Sequence, residues 1–136
     1  MAYATTNPYT NEVVATFPDA TDAEVQTALA QAHAAFESWR DTSFADRAKV
    51  MNAAAAILRR DIDKYARLGT LEMGKLFEES KKEVILSAEI FEYYANHAEE
   101  LLKPEILPVA DAAEGRATLV HEPLGIVLAI EPWNFP

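Results

Sequence analysis

Near its end the chain reads Pro132-Trp133-Asn134-Phe135-Pro136. One primary amide stands between two aromatic rings, with a proline on either side. Proline locks its own φ and restricts its neighbour, so the asparagine is aimed with little backbone freedom. The rings would keep water away from it. A carboxamide in such a place must bond to something, because an orphaned buried amide costs about 1–3 kcal/mol. Its N–H donors carry no net charge and do not titrate near neutral pH. They suit an oxygen that turns negative only during a reaction, where one preorganised donor is worth about 2.7–4 kcal/mol. The same features fit an asparagine that merely braces a tight aromatic loop. On the residues alone the brace is the simpler reading.

A second spacing with chemical content is Gly69-Thr70-Leu71-Glu72-Met73-Gly74-Lys75, which fits the glycine pattern of a phosphate-binding loop. That loop needs Ser or Thr next, to hold magnesium, and a strand before it. Here Leu76 follows, Tyr65 to Leu68 continue a helix, and Glu72 would place a carboxylate inside the cradle. The preferred reading is a helix C-terminus at Gly69 and a break at Gly74; a nucleotide-binding domain using Gly69 to Lys75 is a rival. His33, His97 and His121 include no pair one helical turn apart with a third ligand nearby, so no metal site is expected. Glu78-Glu79 and Glu99-Glu100 read as solvated helix faces.

The totals narrow the classes. The 136 residues carry 12 Lys and Arg against 22 Asp and Glu, a net charge of −10, which disfavours nucleic acid and anionic membranes as partners. Half the residues are apolar and 25% are charged, as in a soluble globular protein. There is no cysteine, which excludes disulfides and a thiol nucleophile within these residues. The opening has no basic region followed by an apolar stretch, so it does not read as a signal peptide, and a cytoplasmic location is expected.

The elements that would position the asparagine follow from local signals. Asn7-Pro8 begins a turn, and Val13 to Phe17 is β-prone, giving an expected hairpin over residues 7–18. Thr21-Asp22-Ala23-Glu24 is a capping box, followed by one apolar helical face at Val25, Leu29, Ala32, Phe36 and Trp39. Ser43 caps a second helix, a third begins near Asp61, and a fourth runs from about Lys75 to Leu102. The helical region is thus expected over residues 21–102. Pro104 and Pro108 enforce an extended connection. Ala117 to His121 reads as a strand. Ile126 to Ile130 reads as another, apolar without alternation, as in a parallel sheet buried on both faces. The fold class is α/β. One buried strand cannot make such a sheet, so the chain is expected to be the N-terminal portion of something larger. A helical interaction module without chemistry of its own is the other rival.

Three stretches carry a family likeness. Asn7-Pro8-Tyr9-Thr10-Asn11-Glu12-Val13, then Glu72-Met73-Gly74-Lys75, then Glu122-Pro123-Leu124-Gly125-Ile126-Val127 with Pro132 to Pro136 resemble, in order, motifs of the aldehyde dehydrogenase superfamily. The likeness is strongest to bacterial succinate-semialdehyde dehydrogenases. It departs at Asn11, where the family usually has glycine; asparagine also tolerates left-handed geometry. The resemblance implies the N-terminal part of a Rossmann-type cofactor-binding domain, residues 1–136, with an oligomerisation strand at residues 116–122 and a sheet strand with its loop at 126–136. It implies that a cysteine thiolate attacks an aldehyde and that Asn134 and a backbone N–H hold the oxyanion. A hydride then passes to NAD or NADP, and a glutamate-activated water hydrolyses the thioester. It places Ile130, Pro132, Trp133 and Asn134 beside the cofactor. It also implies a small aldehyde substrate and a homo-oligomer, a dimer or tetramer. The nucleophile and general base would lie in later sequence.

Overall fold

The computed structural model describes residues 3–111, 113, 115–132 and 134–135. Strands β1 (Tyr3–Thr6) and β2 (Val13–Phe17) form an antiparallel hairpin with Tyr3 opposite Phe17 and an irregularity between Thr5 and Thr6. Its first strand thus precedes the expected start at residue 7. The turn between them is closed by side chains. Asn7 Oδ1 accepts from the Tyr9 amide at 2.9 Å, and Thr10 Oγ1 accepts from the Glu12 amide at 3.3 Å. Asn11 takes a left-handed φ of 61°, the conformation expected of it.

Helix α1 (Asp22–Trp39) starts at the capping box read from the sequence. The Thr21 amide donates to Glu24 Oε2 at 2.7 Å, and Thr21 Oγ1 accepts from the Glu24 amide at 3.3 Å. The bond from the Thr21 amide, and after it one from the Thr21 hydroxyl to the same Oε2 at 2.8 Å, hold the Glu24 carboxyl below the usual carboxylate range. Helix α2 (Phe44–Arg60) is capped by Ser43, whose Oγ accepts from the Asp46 amide at 3.1 Å. Helix α3 (Ile62–Met73) and helix α4 (Phe77–Leu101) follow.

Helices α2 and α3 pack on α4, while α1 stands largely apart with none of its residues buried. The buried positions are small: Ala55 on α2, Ala66 and Gly69 on α3, Ser80 and Ala88 on α4. No large side chain is fully buried among the described residues. Small residues at the contacts let helix backbones approach closely, and larger side chains then fill the flanks. A bidentate ion pair spans α2 and α4: Arg59 Nε lies 2.9 Å from Glu92 Oε1, and its terminal nitrogen 2.7 Å from Oε2.

Strands β3 (Glu105–Leu107) and β4 (Ala117–Leu119) form a second antiparallel pair, with Ile106 opposite Thr118. The prolines expected to enforce a plain extended connection thus bracket a short strand. Within residues 117–121, the pairing stops at Leu119. The second expected strand, Ile126 to Ile130, makes no ladder here: Leu128 and Ile130 are each 84% exposed. A parallel strand needs partners at its edges and cover on its faces. The described residues supply neither. No helix among them is long and apolar enough to cross a membrane.

The Arg59 guanidinium, chiefly through its hydrogen bonds, keeps the Glu92 carboxyl below its ordinary range. A lowered folded-state value means that the pair stabilises the fold above the ordinary carboxylate pKa, and that this support fades as pH falls through the lowered value. In Arg59→Met, NMR titration of the Glu92 carboxyl carbon is expected to show a higher midpoint than in the unsubstituted protein. An unchanged midpoint would show that the guanidinium does not hold this carboxylate in solution.

Candidate functional site

The turn that carries Asn134 rests against the junction of α3 and α4. That junction is built by Gly74, whose left-handed φ of 70° ends α3 while its amide donates to the Thr70 carbonyl at 2.9 Å. A Cβ there would stand 3.1 Å from Cγ of Pro8, so the N-terminal turn also closes on this point. Glycine is the residue that takes such a φ without steric cost.

Immediately after the cap comes Lys75. Its ammonium donates to Glu83 Oε2 on α4. The same nitrogen lies 3.5 Å from the carbonyl oxygen of Asn134 and 4.6 Å from the centroid of the Phe135 ring. The Lys75 side chain is 23% exposed and that of Glu83 13%, so the pair sits where solvent screens it weakly. The second carboxylate oxygen, Glu83 Oε1, is buried with no hydrogen-bond partner among the described residues. One cation therefore joins the helix junction, by an ion pair, to the Asn134 turn, by a backbone contact and a cation–π contact.

Asn134 itself is exposed, and its carboxamide makes no hydrogen bond among the described residues. The water-excluding shell expected around it is not complete among the described residues, because Phe135 is 69% exposed. Trp133 lies outside the described residues. Ile130 and Pro132 are exposed in the same run. The described candidate residues Ile130, Pro132 and Asn134 are thus all open, with an exposed carboxylate, Glu131, between the first two.

Other readings of the sequence come out differently. Gly69 is not a helix end; it is buried inside α3, in the cleft that Leu68, Ser80, Glu83 and Val84 also line. A phosphate cradle needs free backbone N–H groups, which the interior of a helix does not offer. The nucleotide-loop reading of Gly69 to Lys75 is therefore set aside, and Lys75 is committed to Glu83. His97 stacks on Tyr93 at 4.3 Å, and its Nδ1 lies 2.7 Å from the Tyr93 carbonyl oxygen, so it is tied to its own helix. Among the described residues no cluster of His, Asp and Glu could hold a metal ion. Sequence reasoning missed the partnership of Lys75 with Asn134 and Phe135. No local signal links residues 59 positions apart.

Residues 1–136 match the aldehyde dehydrogenase family, and the chain belongs to that family. It is 46% identical over 136 residues to succinate-semialdehyde dehydrogenase [NADP(+)] 1 of Mycobacterium tuberculosis, covering 100% of this chain and 30% of that protein. Identity to the NADP(+) succinate-semialdehyde dehydrogenase of Deinococcus radiodurans is 42% over 134 residues, 98% of this chain and 28% of the relative. The crystal structure of succinic semialdehyde dehydrogenase from Streptococcus pyogenes, in complex with NADP+, superposes with a TM-score of 0.91 at 43% identity, covering 98% of this chain and 29% of that one. The chain thus spans under a third of these relatives' length.

The Gly74 cap gives a direct test of the junction. In Gly74→Ala, the left-handed backbone alone costs about 1–2 kcal/mol, and the 3.1 Å approach to Pro8 adds to it. Urea denaturation is expected to show a loss of at least about 1 kcal/mol; an unchanged midpoint would mean that the junction relaxes freely.

Proposed function

We propose that these residues are the N-terminal part of an NAD(P)-dependent aldehyde dehydrogenase. It oxidises a small aldehyde, succinate semialdehyde foremost, to the carboxylate. The observation that carries this reading is the family match along the whole chain, joined to 46% identity with an NADP(+) succinate-semialdehyde dehydrogenase. The same match disfavours a helical interaction module.

Within that reaction this chain contributes a donor. Asn134 sits on a turn anchored through its carbonyl, while its carboxamide has no hydrogen-bond partner among the described residues. In the assembled enzyme that carboxamide donates to the aldehyde oxygen as it becomes negative, without adding net charge to the site. The attacking thiolate comes from outside these residues, which contain no cysteine.

The residues also fit one edge of a dinucleotide. Ile130 and Pro132 offer uncovered apolar surface close in sequence to an uncharged amide, which suits the flat nicotinamide ring. Trp133 belongs to the same proposed edge. When bound, NAD or NADP supplies the hydride acceptor. Anchors for its phosphates are not among these four residues. Glu131 does not decide between the two cofactors.

Support for assembly comes from the short sheet and the apolar run. β3 and β4 pair only with each other among the described residues, leaving an outer edge on each strand. Such edges invite pairing with another chain. We assign residues 116–122 to a contact between copies, and Ile126 to Ile130 to a sheet completed by the rest of the enzyme. Light scattering on the full-length protein is expected to give a dimer or tetramer; a strict monomer at micromolar concentration would overturn the assignment of residues 116–122.

Full-length enzyme with succinate semialdehyde and NADP+ is expected to form NADPH, and residues 1–136 alone none. Asn134→Ala in the full-length enzyme should lower kcat by about 10²–10³-fold, with aldehyde KM little changed. Near-unaltered kcat would reduce this amide to a brace.

A further inference from the structure

We infer that Lys75, held by Glu83, is a positioning residue for Asn134, setting the backbone of the turn from which the carboxamide is presented. The inference rests on the reading of Asn134 as a donor and adds a part to that site.

Three observations on one nitrogen support it. Lys75 Nζ is bonded to Glu83, stands 3.5 Å from the Asn134 carbonyl oxygen, and lies 4.6 Å from the Phe135 ring centroid. A lysine on an open surface would sweep its four-carbon stem through many rotamers and could fix nothing. Here the stem leaves a backbone locked by the Gly74 cap, and its head is confined by a carboxylate that is only 13% exposed. Both ends of the side chain are therefore defined before the turn meets it.

The contact falls on the two residues that matter. The carbonyl touched is that of Asn134, so the peptide plane beyond it is tethered. The ring touched belongs to the next residue, so rotation of that plane would carry Phe135 off the cation. Tethering the main chain leaves the carboxamide N–H donors free for a ligand, which a brace through the side chain would not. An oxyanion donor needs this arrangement, since a displacement of about 1 Å can cost on the order of 10²-fold in rate.

Lysine and arginine differ here. An ammonium can point one N–H at Glu83 and others elsewhere, while the guanidinium fork is planar and favours bidentate capture of the carboxylate. Lys75→Arg keeps the charge and the bond to Glu83; Lys75→Met keeps much of the stem and removes both.

The test uses the full-length enzyme in two readouts. The first is a double-mutant cycle on kcat with Lys75→Met, Asn134→Ala and the pair. If Lys75 acts through Asn134, Lys75→Met lowers kcat at least about tenfold with aldehyde KM within about threefold, and adds nothing once Asn134 is Ala. Lys75→Arg recovers part of the loss. Multiplying effects in the double variant would overturn the inference, as would unchanged kcat in Lys75→Met.

The second readout is independent of turnover. Hydrogen exchange followed by mass spectrometry on peptides covering residues 127–136 is expected to be faster in Lys75→Met and intermediate in Lys75→Arg. Unaltered exchange in Lys75→Met overturns the tether. An unsubstituted enzyme inactive on every small aldehyde, yet showing the exchange difference, would sink the proposed activity while leaving the tether standing.

Discussion

The close approach of α3 and α4 governs what the rest of the chain can do. Ala66 and Gly69 on one helix, with Ser80 and Ala88 on the other, provide the buried small positions along these helices. Because those side chains are small, the two backbones come near enough for the three residues between the helices, Gly74 to Leu76, to close the corner. Gly74 turns that corner with a left-handed φ, and Pro8 packs over it. Lys75 then leaves the corner at a fixed place, and the Asn134 turn finds its support there. A larger residue in the α3–α4 cleft would push the helices apart and move the support away from the turn it holds.

Much of the remaining surface is apolar and uncovered. Helix α1 presents Val25, Leu29 and Trp39 without burying any of them, and Val127, Leu128 and Ile130 stand open beside the site. Exposed large apolar side chains in such number mark surface that meets other protein or a ligand. The relatives are more than three times as long. In the proposed enzyme, the remaining sequence covers these faces and dries the space around Asn134, raising the value of each donor there.

Legibility in the sequence followed the range of the interactions. The capping box at Thr21 and Glu24, the Ser43 cap and the left-handed Asn11 involve residues within a few positions of each other, and each was readable. Gly69 was misplaced because glycine signals both a helix end and a close helix contact; only the presence of α4 opposite distinguishes them. β3 was hidden between Pro104 and Pro108, since its ladder partner β4 lies beyond the next loop. The apolar run at Ile126 to Ile130 has strand composition but no ladder here, because pairing is a property of neighbours. The family motifs pointed to Asn134 as a site residue. Its support by Lys75 was not legible, because nothing in the local pattern of either residue encodes a contact across 59 positions.

The central claim is that Asn134 offers an unspent neutral donor, from a turn fixed through its backbone, to an oxygen that gains negative charge. The most direct measurement is a crystal structure of the full-length enzyme with NADP+ and an aldehyde trapped as its thiohemiacetal. The account places Asn134 Nδ2 about 2.7–3.1 Å from the substrate oxygen, with the Lys75 ammonium still against the Asn134 carbonyl. A carboxamide turned away from that oxygen, or bonded to carbonyls of its own loop, would contradict it.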